Sequence, residues 1–182
     1  MLTPEEARRL LGMAEGGWRV MIYLALATGA RLGELLALRW NDLDLDGGTM
    51  RITRTSQRLS GRGIVFGVPK TRRAARPVAL SSETIDVLRD HRRAQIEQRL
   101  ALGPAYQDQD LVFAWGTGRP LDRGAVRRTF GKLTAIAGIK RFRFHDLRHS
   151  AATFMLVAGI HPKVVSERLG HATIAITLDT YS

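Results

Sequence analysis

The chain has 182 residues, 45% of them hydrophobic, which corresponds to about one domain with enough apolar side chains for its own core. It contains no cysteine, so disulfides, thiolate metal sites and thiol redox chemistry are excluded. The net charge is +11, and the 28 basic residues comprise 24 arginines and four lysines. Because a guanidinium can bind two oxygens of one phosphate, this composition favours a nucleic-acid partner, although a GC-rich genome also enriches arginine.

Neither a membrane span nor a secretion signal is indicated. The longest apolar run, residues 20–27, is far shorter than the ~20 residues that a transmembrane helix needs. Charged residues interrupt residues 5–9 before any apolar stretch develops at the amino terminus. We therefore expect a soluble, intracellular protein that does not bind membranes.

Hydrophobic periodicity, capping signals and β-branched runs predict a mainly helical domain with one small antiparallel sheet. Thr3, Pro4 and Glu6 are typical of a capped helix start. Lys70 falls in the turn between the second and third predicted strands. In chain order, the predicted elements are helices at 4–15, 18–27 and 31–38, strands at 49–55, 64–68 and 76–80, and helices at 82–102, 123–137, 145–158, 162–169 and 174–180.

The positive charge is concentrated in two segments. Residues 47–82 contain eight basic residues and no acidic one, and residues 119–148 contain nine basic residues against two acidic ones. A one-signed segment of this length is typical of a surface that binds a polyanion. The arginines predicted to bind DNA are Arg51, Arg54, Arg58, Arg62, Arg72, Arg73 and Arg76.

Three motifs in the sequence are more specific than its composition. Residues 145–153 read HDLRHSAAT, residues 169–171 read LGH, and Tyr181 follows ten residues later. Residues 28–34 read TGARLGE. Together these motifs resemble the tyrosine recombinase family of the phage-integrase type, over essentially the whole chain. The resemblance implies a catalytic domain that is mainly α with a small three-stranded antiparallel β-sheet.

The resemblance also implies six catalytic positions, each matched to one residue of this sequence. Two are arginines, one is a lysine in the turn of the sheet, two are histidines and one is the tyrosine nucleophile. In that order, they are Arg31 and Arg148, Lys70, His145 and His171, and Tyr181.

These residue types suit phosphoryl transfer without a metal. Attack on a phosphodiester builds negative charge on its non-bridging oxygens, which the guanidinium groups of Arg31 and Arg148 can stabilise. The leaving 5′ oxygen needs a proton, and lysine gives one up more readily than arginine does. Lys70 is the only lysine before Lys132, in a region where every other basic residue is arginine.

The nucleophile and its base follow from the same chemistry. A tyrosine hydroxyl has a pKa of about 10, so Tyr181 needs a base or a strongly cationic pocket to react at neutral pH. His145 is the candidate base, and His171 is expected to form a hydrogen bond with a phosphate oxygen. Because each phosphoester bond that breaks is replaced by a similar one, no cofactor is expected.

Some readings stay open from the sequence. Glu34, one helical turn after Arg31, can hold that guanidinium or be an exposed acidic residue. His145 and His149 share a helix face, which also fits a pair of metal ligands, although His171 is the only candidate third ligand. The remaining histidines, His91 and His161, are predicted to be surface or capping residues.

The function implied by the resemblance is site-specific recombination: DNA strand cleavage and rejoining through a 3′-phosphotyrosine, in the integration or excision of a phage or mobile element. It implies double-stranded DNA as substrate, a synaptic tetramer of recombinase protomers on that DNA, and a bacterial cytoplasm, at the nucleoid, as location. Two alternatives are a type IB topoisomerase, which relaxes supercoils by the same chemistry, and a DNA-binding module without activity.

Family members usually carry an amino-terminal DNA-clamping domain and continue past the tyrosine. We therefore expect residues 1–182 to be one catalytic domain from a longer integrase, without the clamping domain and the carboxy-terminal tail, and monomeric in isolation.

Overall fold

The computed structural model describes residues 1–68 and 75–170. Its helices are α1 (Pro4–Met13), α2 (Gly16–Thr28), α3 (Leu32–Leu35), α4 (Ser82–Leu102), α5 (Arg123–Ile136), α6 (Asp146–Val157) and α7 (Pro162–Leu169). Its strands are β1 (Leu43–Asp44), β2 (Thr49–Ile52), β3 (Thr55–Leu59), β4 (Gly63–Gly67) and β5 (Arg76–Ala79). The mainly α fold with a small antiparallel sheet is as predicted, and the predicted helix at 174–180 lies outside the described residues.

Local capping chemistry sets the helix starts. The Thr3 hydroxyl accepts the backbone N–H of Glu6 at 3.2 Å, and the Glu6 carboxylate accepts the backbone N–H of Thr3 at 2.8 Å. This reciprocal pair satisfies two amide groups that would otherwise lack partners at the start of α1. Ser81 and Asp122 accept amide hydrogens in the same way at the starts of α4 and α5.

The sheet differs from the prediction in its membership. The three-stranded antiparallel sheet has the order β1–β2–β5, with Met50 opposite Val78, whereas β3 and β4 form a separate hairpin. The prediction that residues 64–68 belong to the three-stranded sheet was therefore wrong. A tight turn at residues 60–62, with Gly61 at φ +73°, returns the chain onto β3, so β4 pairs there.

The main core lies between the amino-terminal helices, the sheet and α6. Leu10, Leu24, Leu35, Met50 and Leu147 are among its fully buried side chains. A second, smaller cluster joins α6 to α7, with Ala151, Met155, Val165 and Leu169 buried in it. No helix among the described residues is both long and apolar enough to cross a bilayer.

Candidate active site

Arg31 stands at the amino end of α3, directly before its first helical residue. The Glu34 carboxylate accepts the backbone N–H of Arg31 at 2.8 Å and receives its Nη1 at 3.0 Å. The Arg31 side chain is 40% exposed, whereas that of Glu34 is 3% exposed. The buried carboxylate therefore holds a guanidinium that still reaches the surface. The predicted helix at 31–38 is shorter in the structure and ends at Leu35.

Gly29 ends α2 and brings another helix close to Arg31. Its N–H donates to the carbonyl of Ala25 at 2.8 Å, and its φ of +66° lies in the left-handed region that favours glycine. A β-carbon at Gly29 would also collide with the side chain of Leu169. The end of α2 and the end of α7 therefore touch directly, two residues before Arg31.

Arg148 occupies this junction from α6. It is only 5% exposed, and its Nη1 and Nη2 donate to the carbonyls of Gly29 and Leu169 at 2.8 and 2.7 Å. Because those carbonyls belong to the ends of α2 and α7, one guanidinium connects both helix ends. Carbonyl groups at helix carboxy termini carry partial negative charge, which favours a cation there. Arg148 therefore binds the junction that Arg31 follows by two residues in the chain.

His145 directly precedes α6, one turn before Arg148. Its ring lies edge-on to the ring of His149, with centroids 5.4 Å apart and planes at 85°. Burial is the main cause that lowers the pKa of His145, and the charges of His149 and Arg148 lower it further. A lowered pKa keeps the imidazole neutral to a lower pH, so that it can accept a proton at neutral pH.

A second arginine shares the Glu34 carboxylate. Arg76 of β5 contacts both carboxylate oxygens of Glu34 at 3.2 Å, and its Nε donates to the carbonyl of Arg168 at 2.6 Å. Burial tends to raise the pKa of Glu34, but the charges and hydrogen bonds of Arg76 and Arg31 outweigh this effect and the pKa is lowered. Glu34 is therefore ionised between two cations.

The burial of Arg76 corrects the prediction that it binds a DNA phosphate. The residue is 8% exposed, and its guanidinium faces Glu34 inside the protein. Strand alternation carried this signal in the sequence, because Arg76 and Val78 must share one face of β5. The ion pair of Arg76 was not apparent from residues 47–82, which contain no acidic residue, because its partner Glu34 lies earlier in the chain.

The other predicted DNA-binding arginines of the described residues divide into two groups. Arg51, Arg58 and Arg62 are exposed. Arg54 is partly buried: its Nη2 donates to the carbonyl of Ala37 at 2.9 Å, and its guanidinium lies over the ring of Phe66 at 5.1 Å. Arg54 thus links the hairpin to the segment that follows α3, and its contact with a DNA phosphate stays a prediction.

The hairpin that carries Arg58 and Arg62 is packed against α3. A β-carbon at Gly33 would clash with Arg123 and with the Thr55 hydroxyl, and Arg123 Nη2 donates to the carbonyl of Ser56 at 3.0 Å. The absence of a side chain at Gly33 therefore lets β3 approach the helix that begins beside Arg31. The exposed basic turn at residues 60–62 thus extends from the neighbourhood of the candidate site.

Several predicted site residues lie outside the described residues: Lys70, Arg72, Arg73, His171 and Tyr181. Described residues next to two of these segments lie beside the site, however. Residues 69–74 lead into β5, which begins with Arg76, and residue 171 follows Gly170, the residue that caps the end of α7. Within 1–68 and 75–170, no group of three or more potential metal ligands comes together.

The two remaining histidines have structural contacts. His161 caps α7 by accepting the backbone N–H of Lys163, as one of its two predicted roles requires. His91 is half-buried, stacks on Phe113 and contacts the Val112 carbonyl at 2.7 Å. Its burial lowers its pKa. The prediction of a surface or capping role was therefore wrong for His91, because α4 packs it against the segment around Phe113.

Comparison with known proteins agrees with this arrangement. The model of the phage integrase family matches residues 1–182, and the chain belongs to that family. It is 33% identical over 192 residues to a tyrosine recombinase XerC-like protein of Caldanaerobacter subterraneus subsp. tengcongensis, covering 99% of this chain and 49% of that protein. It is 33% identical over 193 residues to an integrase of Streptomyces ambofaciens, covering 99% and 48% respectively. The chain thus spans about half the length of these curated relatives.

Solved structures share the fold. The Tn1549 transposon integrase in complex with a circular intermediate DNA superposes with a TM-score of 0.83 at 23% identity, covering 100% of this chain and 60% of that one. Together with the family match, this establishes the tyrosine recombinase catalytic fold for the chain.

Proposed function

We propose that this domain cleaves and rejoins duplex DNA as a site-specific recombinase, through a 3′-phosphotyrosine on Tyr181. The observation that carries the proposal is the junction of α2, α6 and α7, where Arg148 binds the carbonyls of Gly29 and Leu169. Arg31 follows Gly29 by two residues, and His145 directly precedes α6. Family membership over the whole chain supports it, as do the DNA complexes of the Tn1549 integrase and of the XerH recombinase with its difH substrate.

In the proposed reaction, the Tyr181 oxygen attacks the phosphorus and the bond from phosphorus to the 5′ oxygen breaks. The tyrosine proton passes to His145, whose lowered pKa leaves it neutral, and the leaving oxygen takes a proton from Lys70. Arg31, which reaches the surface, and Arg148, whose contacts with two neutral carbonyls keep its positive charge, stabilise the charge on the non-bridging oxygens. A 5′ hydroxyl of a partner strand then reverses these steps, so no net phosphoester bond is lost.

For the complete protein we propose a synaptic tetramer on DNA, in the integration or excision of a phage or mobile element. Strand exchange joins two duplexes, and each strand that is cut needs its own tyrosine nucleophile. Several protomers must therefore act together. Incubating the complete protein with two differently labelled duplexes that contain its site tests this step. Recombinant products are expected, whereas relaxation of a supercoiled plasmid without recombinants would indicate a topoisomerase. The proposed location is the bacterial nucleoid.

The proposed acid predicts a chemical rescue. Lys70→Arg keeps the positive charge, but we expect cleavage to slow by at least about 100-fold because a guanidinium gives up its proton reluctantly. On a substrate whose bridging 5′ oxygen is replaced by sulfur, the leaving thiolate needs little protonation, so the defect should fall below about tenfold. Single-turnover cleavage of both substrates measures the ratio of the wild-type rate to the Lys70→Arg rate on each.

Lys132→Arg, at an exposed position of α5, is the matched control and should cleave both substrates at the wild-type rate. An equal defect of Lys70→Arg on both substrates would exclude Lys70 as the acid.

The exposed hairpin arginines predict an electrostatic contribution to DNA binding. Reversing Arg58 and Arg62 to Glu should weaken binding to every DNA sequence and reduce the slope of log K against log salt by about two. Fluorescence anisotropy across a salt series measures both quantities. Reversing Arg8 and Arg9 on α1 changes the net charge equally and is the control. If the two double variants show equal slopes, the hairpin makes no specific contribution.

A further inference from the structure

Arg76 connects three parts of the candidate site without reaching the surface. Its two terminal nitrogens bind the two oxygens of Glu34, and its Nε binds the carbonyl of Arg168. Glu34 in turn binds Arg31, and the residue after Arg168 supplies the carbonyl that Arg148 binds. A continuous set of polar contacts therefore extends from Arg31 through Arg76 to the end of α7.

The geometry of this set constrains Arg31 more than a single ion pair would. Glu34 Oε1 receives Nη1 of Arg31 at 3.0 Å and Nη1 of Arg76 at 3.2 Å, while Oε2 receives the backbone N–H of Arg31 and Nη2 of Arg76. Each carboxylate oxygen thus has one partner from each arginine. A fork-to-fork pair fixes both the position and the plane of the carboxylate, which a lysine cannot do.

Strand β5 and α7 are connected by a second hydrogen bond, in which α7 supplies the donor and β5 the acceptor. The Nη2 of Arg168 donates to the carbonyl of Ala79 at 2.6 Å, while the carbonyl of Arg168 accepts from Arg76. The strand that follows residues 69–74 and the helix that precedes residue 171 are therefore held together from both sides. Both neighbouring segments carry predicted catalytic residues, Lys70 and His171.

We propose that Arg76 is a positioning residue for strand cleavage, which acts through Glu34 on the guanidinium of Arg31. This inference rests on the proposed recombinase function. Misplacing a catalytic group by as little as 1 Å can slow a reaction about 100-fold, whereas DNA affinity depends on many surface charges. Loss of the fork should therefore lower the rate of cleavage at saturating protein and leave the dissociation constant for DNA within about threefold.

The test compares three variants in single-turnover cleavage of a nicked suicide duplex, well below their melting temperatures. Arg76→Lys and Glu34→Gln are each expected to slow cleavage about tenfold or more, since each removes the same fork. Because they break one shared contact, the double variant should be no slower than the slower single variant, within about threefold. A double defect equal to the product of the single defects would overturn the proposal, as would wild-type rates in both single variants.

A matched control separates positioning from general stability. The Arg39 guanidinium donates two hydrogen bonds of 3.3 Å to the buried Asp42, whose carboxylate also accepts from the Thr53 hydroxyl. Arg39→Lys should lower the melting temperature and leave the cleavage rate within about twofold of the wild type. If Arg39→Lys slows cleavage as much as Arg76→Lys does, the Arg76 fork only stabilises the fold. If the wild type itself forms no covalent product, the proposed function fails rather than this inference.

Discussion

Tyr181→Phe should abolish covalent attachment of the protein to DNA, lowering its rate by at least about 10⁴-fold, as removal of a nucleophile does in other covalent enzymes. Phenylalanine keeps the aromatic ring and removes only the attacking oxygen, so the affinity for DNA should stay within about twofold. A nicked suicide duplex traps the covalent complex, which denaturing gel electrophoresis detects, and anisotropy reports binding.

Tyr106→Phe is the matched control for this variant. Tyr106 is partly buried, and burial raises the pKa of its hydroxyl, which makes it a poor nucleophile. The control variant should form the covalent complex at the wild-type rate. A covalent complex that persists in Tyr181→Phe would assign the nucleophile to another residue.

Arg148→Lys should slow cleavage by about 10²–10³-fold at saturating protein, which is the usual effect of removing a donor that stabilises transition-state charge. The substitution keeps a positive charge. A single ammonium lacks the planar fork with which Arg148 reaches both Gly29 and Leu169, so the helix ends should also separate. Because buried carbonyls then lose their donors, the melting temperature should fall as well.

Arg9→Lys, at an exposed position of α1, is the control for Arg148→Lys. Single-turnover cleavage and thermal unfolding are measured on both variants, at a temperature where each is folded. Cleavage by Arg148→Lys within threefold of the wild-type rate would contradict the assigned role of Arg148.

The helices could be predicted from the sequence because their signals are local. Thr3 and Glu6 lie three residues apart, and Pro162 and Gly170 mark the two ends of α7. Helix ends of this kind depend on hydrogen bonds between near neighbours in the chain. The same locality explains why short motifs, taken together, already indicated the family.

Strand pairing and buried charge could not be predicted in the same way, because their partners are distant in the chain. Residues 64–68 have the composition of a strand, but only the turn at 60–62 decides that they pair with β3. Arg76 finds its carboxylate 42 residues earlier. The positive charge of residues 47–82 suggested that Arg76 is a surface cation. Its position two residues before Val78 in the same strand indicated an inward side chain.

Gly29 and Gly33 illustrate a further limit. Both lie in the TGARLGE motif, and the sequence alone does not tell what approaches them. In the structure, Leu169 packs on Gly29, and Thr55 and Arg123 pack on Gly33. The end of α7 therefore packs just before Arg31 in the chain, and the hairpin packs just after it. These contacts can be recognised only in the folded structure, because their partners are distant in the sequence.

The most direct test of the proposed chemistry is to identify the residue that carries DNA in the trapped wild-type complex. Trypsin cleavage after Arg168 releases a peptide that begins at Leu169, and Tyr181 is the single tyrosine of residues 169–182. Mass spectrometry of the peptide bound to DNA should locate a phosphodiester between Tyr181 and the 3′ end of the cleaved strand. Attachment at another residue, attachment to a 5′ end, or cleavage without any covalent product would contradict the proposed mechanism.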